Sequence, residues 1–339
     1  DQILPVVNPA TEAAVASVPS ATTSDVDRAV AAAKEAFPAW SATSVAERKS
    51  IILAIVKGMQ DRVDELTQAV SSSMGCPEAV TRWLQIEGPI EGLELFAKHM
   101  DDIEWSQELA SSLVLREAVG VCAFINPWNY PLHQFIGKVG AALAAGCTMV
   151  VKPSEQTPLQ DYVMADIMAA AGVPAGVFNL VPGRGQVVGA HLSQHPDVDM
   201  VSFTGSTRAG IEVAKAAAPS VKRVTQELGG KSPYIITDTA DLEAAVRYGV
   251  EDVMLNSGQT CTALTRMLVP ESLYPKAIEL AKTIAEAIVI GRDDQAFMGA
   301  MSSQSQQQRV LEFIEKGKRE GTRLICGGNA LQIDGKGFY

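Results

Sequence analysis

The chain has 339 residues, of which 47% are hydrophobic and 20% charged, with 27 glycines and 17 prolines. These are the proportions of an ordinary globular protein of roughly two domains, and they exclude disordered, collagen-like and low-complexity chains. The 28 basic and 39 acidic residues give a net charge of −11. Such an acidic balance argues against binding to nucleic acid or to an anionic membrane surface.

No membrane span or export signal is predicted. The longest apolar run, residues 139–151, is too short to cross a bilayer. Residues 1–9 lack a basic stretch followed by an apolar core. Five widely spaced cysteines without a C-x-x-C pair are typical of a reducing compartment. We therefore expect a cytoplasmic protein without a disulfide framework.

The first third of the chain has mainly helical periodicity. Helices are predicted over 25–36, from about 44 to 70, and over about 78–99, the first of them capped by Ser24. Alternating apolar and polar residues over 112–119 then predict a half-exposed strand.

From residue 119 onward, short β-rich runs alternate with helices of about a dozen residues, which predicts βαβ crossovers and a mostly parallel sheet. The predicted strands are 121–125, 148–151, 177–181, 198–203 and 223–227, and the predicted helices are 132–145, 159–171 and 206–217. A second alternating block begins near Tyr234, with further strands at 266–269 and 324–326 and helices over 241–255, 273–287 and 304–318. These patterns predict an α/β fold with a domain boundary near Gly229-Gly230.

In a parallel sheet, ligands bind at the carboxyl ends of the strands. Lys152-Pro153-Ser154-Glu155 follows a predicted strand, and its cation and carboxylate suit a nucleotide ribose. Two glycine-rich turns, over 183–189 and 205–210, lie where strands pass into helices and could approach an anionic ligand closely. Neither has the G-x-G-x-x-G pattern, and each alone is a weak signal.

Cys261 lies in a loop between a predicted helix and strand, whereas the other four cysteines suit core positions. A thiolate is a strong nucleophile near neutral pH, although most lone cysteines are inert. No histidine partner is evident near Cys261, so a carboxylate base must be considered. His191 and His195 are four residues apart, but no third ligand is evident, and we predict no metal site.

Five segments in order resemble the NAD(P)-dependent aldehyde dehydrogenase superfamily. They are Pro127-Trp128-Asn129-Tyr130-Pro131, Lys152-Pro153-Ser154-Glu155, Phe203-Thr204-Gly205-Ser206-Thr207, Glu227-Leu228-Gly229-Gly230-Lys231-Ser232-Pro233 and Gly258-Gln259-Thr260-Cys261. The resemblance implies a Rossmann-like, NAD-binding domain over 1–229 with an oligomerisation hairpin at about 103–119. It also implies a second α/β domain, the catalytic domain, over 230–339.

The resemblance also implies catalytic roles. Cys261 would attack an aldehyde and form a thiohemiacetal, whose oxyanion the Asn129 amide and the Cys261 backbone N–H would hold. Hydride transfer would leave a thioester, and Glu227 would activate the water that releases a carboxylic acid. Lys138 would assist proton movement. The implied cofactor-binding residues are Ile125, Trp128, Lys152, Ser154, Glu155, Gly185, Gly189, Gly205, Ser206 and Leu228.

Glu155 would repel a 2′-phosphate, which favours NAD over NADP as the cofactor. The implied partners are a small-molecule aldehyde and further copies of the chain, as a homodimer or homotetramer. Gly137 stands where many relatives carry tryptophan, and Tyr130 where many carry phenylalanine, which predicts room for a wide or long aldehyde. The family pattern continues past Tyr339, so we expect the catalytic domain to be incomplete at its C-terminal end.

Two alternatives remain. One is a CoA-acylating semialdehyde dehydrogenase, in which CoA takes the thioester; Glu227 argues against it, because acylating relatives tend to lack a base there. The other is a truncated, non-catalytic homologue that binds the cofactor.

Overall fold

The computed structural model describes residues 2–339, and the chain divides into two units. Unit 1 contains the N-terminal residues up to Val6, Ala16–Val70 and Thr81–Leu228. Unit 2 contains Val7–Val15, Ser71–Val80 and Gly229–Tyr339. No helix among residues 2–339 is long and apolar enough to cross a membrane.

Eleven strands are present in the described part of the chain. They are β1 (Gln2–Val7), β2 (Ala14–Ser20), β3 (Ser106–Leu109), β4 (Ser112–Leu115), β5 (Val121–Ile125), β6 (Thr148–Lys152), β7 (Phe178–Leu180), β8 (Met200–Gly205), β9 (Arg223–Leu228), β10 (Pro233–Ile235) and β11 (Arg266–Leu268).

The helices alternate with the later strands. The α-helices are α1 (Thr23–Ser41), α2 (Val45–Asp61), α3 (Val63–Met74), α4 (Glu78–Val80), α5 (Gly88–His99), α6 (Pro131–Ala145), α7 (Leu159–Ala170), α8 (Ala190–Gln194), α9 (Thr207–Ala217), α10 (Leu242–Met254), α11 (Tyr274–Glu286) and α12 (Gln304–Arg319). Thr81–Glu87 and Gly185–Gly189 are π-helical, and Met100–Asp102 and Ala218–Ser220 are 3₁₀ turns. Leu255–Gly258 is a short turn in which Asn256 and Ser257 have left-handed backbone angles.

The centre of unit 1 is a five-stranded sheet in the order β7-β6-β5-β8-β9, with every neighbouring pair parallel. This confirms the predicted α/β fold. Every residue of β5 and β6 is buried, as expected for strands covered by helices on both faces. From β5 the chain passes to β6 on one side, and β8 lies on the other. The carboxyl ends of β5 and β8 therefore form the topological switch point at which such sheets bind ligands.

Unit 2 has its own small core. Strands β10 and β11 pair in parallel. Helices α10 and α11 bury Val246, Val250, Ala277 and Ile284 around Ile236, which follows β10. The predicted second α/β block is therefore present.

Two predicted helices are interrupted, and one cap is wrong. The helix predicted over 44–70 breaks at Arg62, which has φ −119° and ψ 26° and pairs through its guanidinium with Glu65 in the first turn of α3. The region 78–99 contains the π-helical segment. Helix α1 is capped by Thr22 and not by Ser24, because the Thr22 hydroxyl accepts from the Asp25 N–H while the Asp25 carboxylate accepts from the Thr22 N–H.

Two strand predictions also need correction, and strands β1 and β2 were not predicted. The strand predicted over 112–119 is shorter and pairs with β3 in an antiparallel hairpin. Residues 324–326 form no strand; Gly327 and Gly328 follow at φ 65° and 86°, which ends the extended backbone at once.

Candidate active site

The parallel sheet of unit 1 brings most of the predicted site residues to one edge. Asn129 lies in the loop after β5. Lys152 and Gly205 are the last residues of β6 and β8, and Glu227 is the next-to-last residue of β9. Since parallel strands present their carboxyl ends at the same edge, segments far apart in sequence can contribute to one site there.

Lys152 and Glu155 form a close pair at this edge. Lys152 is 2% exposed, and its Nζ donates to Glu155 Oε2 at 2.9 Å and to the Pro153 carbonyl at 2.6 Å. Burial raises the pKa of Glu155, but Lys152 and backbone N–H groups, including that of Gly185, more than offset this, so its pKa lies below the usual carboxyl range. An ionised carboxylate here can accept hydrogen bonds from a ribose diol.

The glycine-rich turns leave room for a ligand. A Cβ built on Gly185 would have no heavy atom within 4 Å, whereas one on Gly189 would be 3.6 Å from Ile125. The space beside Gly185 is therefore open, and the buried Lys152 lies on the neighbouring strand. These features fit a dinucleotide at the carboxyl edge of the sheet.

The remaining predicted cofactor residues have mainly structural contacts. Ser206 caps α9 by accepting from the Ala209 N–H, and Ser154 accepts from the Gln156 N–H. The Trp128 carbonyl accepts from Thr157. Ile125 and Leu228 pack in or against the core of unit 1.

Lys138, on α6, lies among three neutral oxygen atoms. Its Nζ is 2.8 Å from Thr204 Oγ1, 3.0 Å from Asn126 Oδ1 and 3.4 Å from Gln134 Oε1. Burial lowers the pKa of Lys138 to about 7, and the negative charge of Glu227 opposes that shift only in part. The amino group can therefore both hold and release a proton near neutral pH.

The loop that carries Asn129 is held by the π-helical segment. Gln85 Nε2 donates to the Asn129 carbonyl at 3.1 Å. One turn further on, His133 Nε2 lies 2.6 Å from the Leu84 carbonyl, and burial lowers the pKa of His133. π-Helical turns recur at functional sites, and here one anchors the start of α6.

Glu227 is exposed, although its neighbours in β9 are half-buried. A carboxylate is a better base where it is removed from water, but the described residues leave Glu227 exposed. Its charge nevertheless acts on Lys138.

Cys261, in unit 2, follows a strained turn. Asn256, Ser257 and Gly258 all have positive φ, at 53°, 58° and 74°. Such a run is costly for residues other than glycine, and it persists only where the surroundings impose it. Cys261 itself is half-buried, as a reactive thiol must be, whereas Cys122 and two other cysteines are buried.

Hydrogen bonds fix this turn within unit 2. Ser257 Oγ donates to the Gly299 carbonyl at 2.9 Å. Gln259 Nε2 donates to the Asn256 carbonyl, and Gln259 Oε1 accepts from the Ser302 N–H at 2.8 Å. A Cβ on Gly230 would approach the Cys261 carbonyl to 3.8 Å, which is ordinary contact. The backbone before the thiol is therefore rigidly supported.

The two histidines have a partner that the sequence did not reveal. Asp27 Oδ1 lies 2.6 Å from His191 Nε2 and 3.4 Å from His195 Nε2. However, His195 Nδ1 accepts from the Asp197 N–H, so the neutral ring carries its hydrogen on Nε2. That hydrogen faces Asp27, so the His195 ring is oriented to donate to this carboxylate.

Several residues of the edge were missed by the sequence analysis, namely Gln85, Asn126, Gln134, Asp161 and Thr204. Asp161 is buried, and burial raises its pKa well above the usual carboxyl range despite the nearby charge of Lys152. Only Thr204 stands in a motif that the sequence analysis used. The others carried no sequence signal, because their contacts depend on the packing of α6, α7 and the π-helical segment.

Comparison with known proteins gives consistent matches. A family model described as aldehyde dehydrogenase family matches residues 1–339. A 3-succinoylsemialdehyde-pyridine dehydrogenase from a Pseudomonas species is 47% identical over 328 residues, which cover 95% of this chain and 68% of that protein.

The similar solved structures cover the whole of this chain. A cysteine-to-alanine variant of aldehyde dehydrogenase C from Pseudomonas syringae, in complex with NAD⁺ and octanal, has 44% identity and a TM-score of 0.98, and 70% of its chain is covered. The NAD⁺ complex of an aldehyde dehydrogenase from Bacillus cereus has 37% identity and a TM-score of 0.96, again with 70% covered.

Proposed function

The chain belongs to the aldehyde dehydrogenase family, whose reaction is aldehyde oxidation, and we propose that it forms a carboxylic acid through a covalent cysteine intermediate. The observation that carries the proposal is the half-buried Cys261, set after three consecutive residues at positive φ. Strain of this kind is concentrated at functional sites.

We assign the nucleophile to Cys261. Its Sγ attacks the carbonyl carbon of the aldehyde, and the thiol proton leaves to a base as the tetrahedral thiohemiacetal forms. The Asn129 side-chain amide and the Cys261 backbone N–H stabilise the oxyanion; one such donor lowers the barrier by ~3 kcal/mol. The Gln85 hydrogen bond to the Asn129 carbonyl supports this role, because it fixes the backbone of that loop.

NAD, when bound, would accept the hydride from the thiohemiacetal carbon, which would leave a thioester on Cys261. Lys152 and Glu155 would hold its adenosine ribose, and Gly185 and Gly189 would line the site. The lowered pKa of Glu155 supports NAD over NADP, since an ionised carboxylate repels a 2′-phosphate. The remaining contacts are assigned to Ile125, Trp128, Ser154, Gly205, Ser206 and Leu228.

Release of the acid is assigned to Glu227, which takes a proton from water as the water attacks the thioester. Lys138, whose pKa lies near 7, exchanges protons close to this carboxylate. Hydrolysis is favoured over transfer to CoA because Glu227 supplies a base.

We also infer the wider organisation of the protein. Residues 1–229 serve cofactor binding and residues 230–339 serve catalysis. The exposed leucines of the β3–β4 hairpin support assembly into a homodimer or homotetramer. Five widely spaced cysteines without a C-x-x-C pair support a cytoplasmic location.

NADH formation tests the proposal directly. The complete protein would be assayed with aldehydes from two to ten carbons, beside the variants Cys261→Ala and Glu227→Gln. We expect the first variant to lose oxidation and the second to stall at the thioester. Cys326→Ala is the matched control, because Cys326 is the other half-buried cysteine. Normal turnover by Cys261→Ala would contradict the assignment, and release that requires CoA would establish the acylating alternative.

A further inference from the structure

Asn126 is the residue after β5, at the switch point of the sheet. It is 6% exposed, and its Oδ1 accepts from Lys138 Nζ at 3.0 Å. Its Nδ2 is buried without a hydrogen-bond partner among the described residues. An unsatisfied buried donor costs on the order of 1–3 kcal/mol, so a side chain kept in this state calls for a functional explanation.

The surroundings of Lys138 are polar but uncharged at hydrogen-bond distance. An ammonium has three donors, and Asn126, Thr204 and Gln134 supply three acceptors. The Thr204 hydroxyl in turn donates to Gln134 Oε1 at 3.0 Å, which leaves its lone pairs for Lys138. The geometry of the amino group is therefore fixed by three side chains from β8, α6 and the end of β5.

The charge balance around Lys138 is set by few groups. Glu227, at the end of β9, is the one charged group in the described residues that acts on its protonation. His133, on the same helix, is engaged with the Leu84 carbonyl. A carboxylate in place of the Asn126 amide would hold the ammonium form far more strongly.

We propose that Asn126 is a positioning residue: its amide oxygen, with the Thr204 hydroxyl, aims the Lys138 amino group and, being uncharged, does not hold that group in the ammonium form as a carboxylate would. This inference rests on the proposed function, because it concerns proton movement in that reaction. The Asn126 Nδ2 is then left to donate to an oxygen of a bound ligand or water at the switch point.

The pKa of Lys138 can be measured without turnover. Acetic anhydride labels only the unprotonated amine, so labelling of the Lys138 peptide, followed by mass spectrometry across pH, gives its titration midpoint. Asn126→Asp should raise the midpoint by about one pH unit or more, because a nearby carboxylate favours the ammonium. Asn126→Leu and Thr204→Val should lower it, since each removes an acceptor.

The midpoint shifts expected for Asn126→Asp and Asn126→Leu have opposite signs, which distinguishes a positioning role of Asn126 from a purely structural one. General loosening of the site would move the midpoints of the Asp and Leu variants in the same direction. Asn329→Asp is the matched control, because it adds the same charge at an exposed position and should leave the midpoint unchanged. Equal midpoints for wild type and Asn126→Asp, or shifts of one sign, would overturn the proposal.

Turnover gives a second readout. In Asn126→Asp the rising limb of the kcat profile should move to higher pH, with KM for the aldehyde changed less than kcat. If the labelling midpoint of Lys138 moved in Asn126→Asp but the rising limb of its kcat profile did not, the inference would also be overturned. A wild-type protein that forms no NADH would instead contradict the proposed function, which labelling alone does not test.

Discussion

Lys138 and Lys152 have the same side chain, but their hydrogen-bond partners give the two amino groups different properties. Lys152 has a carboxylate partner, Glu155, and a backbone carbonyl, which suit a fixed cation in a binding site. Lys138 is also largely removed from water but is bonded to neutral oxygens alone, so burial lowers its pKa. The sequence marked Lys152 through a motif and Lys138 only through the family resemblance. It could not reveal this difference, which depends on residues up to 70 positions apart such as Gln134 and Thr204.

The first residue-scale prediction concerns cofactor choice. Glu155→Gln removes the negative charge that repels a 2′-phosphate while keeping the shape of the side chain. We expect the preference for NAD over NADP, as a ratio of kcat/KM values, to fall about tenfold, which corresponds to 1.4 kcal/mol. Glu35→Gln, an exposed glutamate on α1, is the control. An unchanged ratio would show that Glu155 does not select the cofactor.

The second concerns the width of the substrate site. Gly137 is exposed, and a Cβ there would have no heavy atom within 4 Å, so helix α6 can accept a large side chain. Gly137→Trp should raise KM for octanal about tenfold or more, with little effect on acetaldehyde. Gly92→Trp, on α5 and equally open, controls for a new surface tryptophan. Wild-type activity restricted to two- or three-carbon aldehydes would contradict the prediction of a wide site.

At the scale of elements, local signals fixed some boundaries and not others. Helix α6 begins at Pro131 and ends at Gly146, whose φ is 82°, and both residues are recognisable in the sequence. The break at Arg62 has no glycine or proline to mark it, and Arg62 there forms an ion pair with Glu65 of the next helix. The left-handed turn before Cys261 likewise depends on hydrogen bonds to residues about 40 positions away.

The cap of α1 gives a direct test at this scale. Thr22→Ala removes the acceptor for the Asp25 N–H, so the free energy of unfolding should fall by ~1 kcal/mol. Ser24→Ala should change it by much less, because Ser24 lies inside the helix. Urea denaturation of both variants decides between the two residues, and a larger loss in Ser24→Ala would restore the sequence-based assignment.

The left-handed turn before Cys261 gives a second test at the scale of elements. Ser257→Val and Ser257→Gly both lose the hydrogen bond to Gly299, but valine disfavours φ 58° and glycine does not. The valine variant should therefore be less stable than the glycine variant by about 1–2 kcal/mol. It should also have a lower kcat, because the turn sets the position of the thiol. Equal stabilities would mean that the turn is not strained.

At the scale of the whole molecule, the order of five short motifs predicted the family. The alternation of short strands with helices predicted the parallel sheet and the segments at its carboxyl edge. The sequence did not reveal the side chains around Lys138 or the partner of the two histidines. Asn126, Gln134 and Asp27 belong to no motif, and tertiary packing alone places them beside Lys138 or His191.

Assembly is tested at the β3–β4 hairpin. Leu113 and Leu115 are each 56% exposed and lie on one face of β4, and an isolated two-stranded hairpin is marginally stable in water. Replacing both with Asp should shift the protein toward the monomer in sedimentation velocity experiments. Val289→Asp, at an exposed apolar residue of unit 2, should not. A wild-type monomer would contradict the inferred oligomer.

The central claim is that the reaction passes through an acyl group on Cys261. Glu227→Gln protein incubated with NAD⁺ and octanal, then quenched in acid, would be examined by intact-mass and peptide mass spectrometry. We expect a mass increase equal to one octanoyl group, located on the Cys261 peptide and absent when NAD⁺ is omitted. NADH formation by this protein without any acyl group on Cys261, or with the acyl group on another residue, would contradict it.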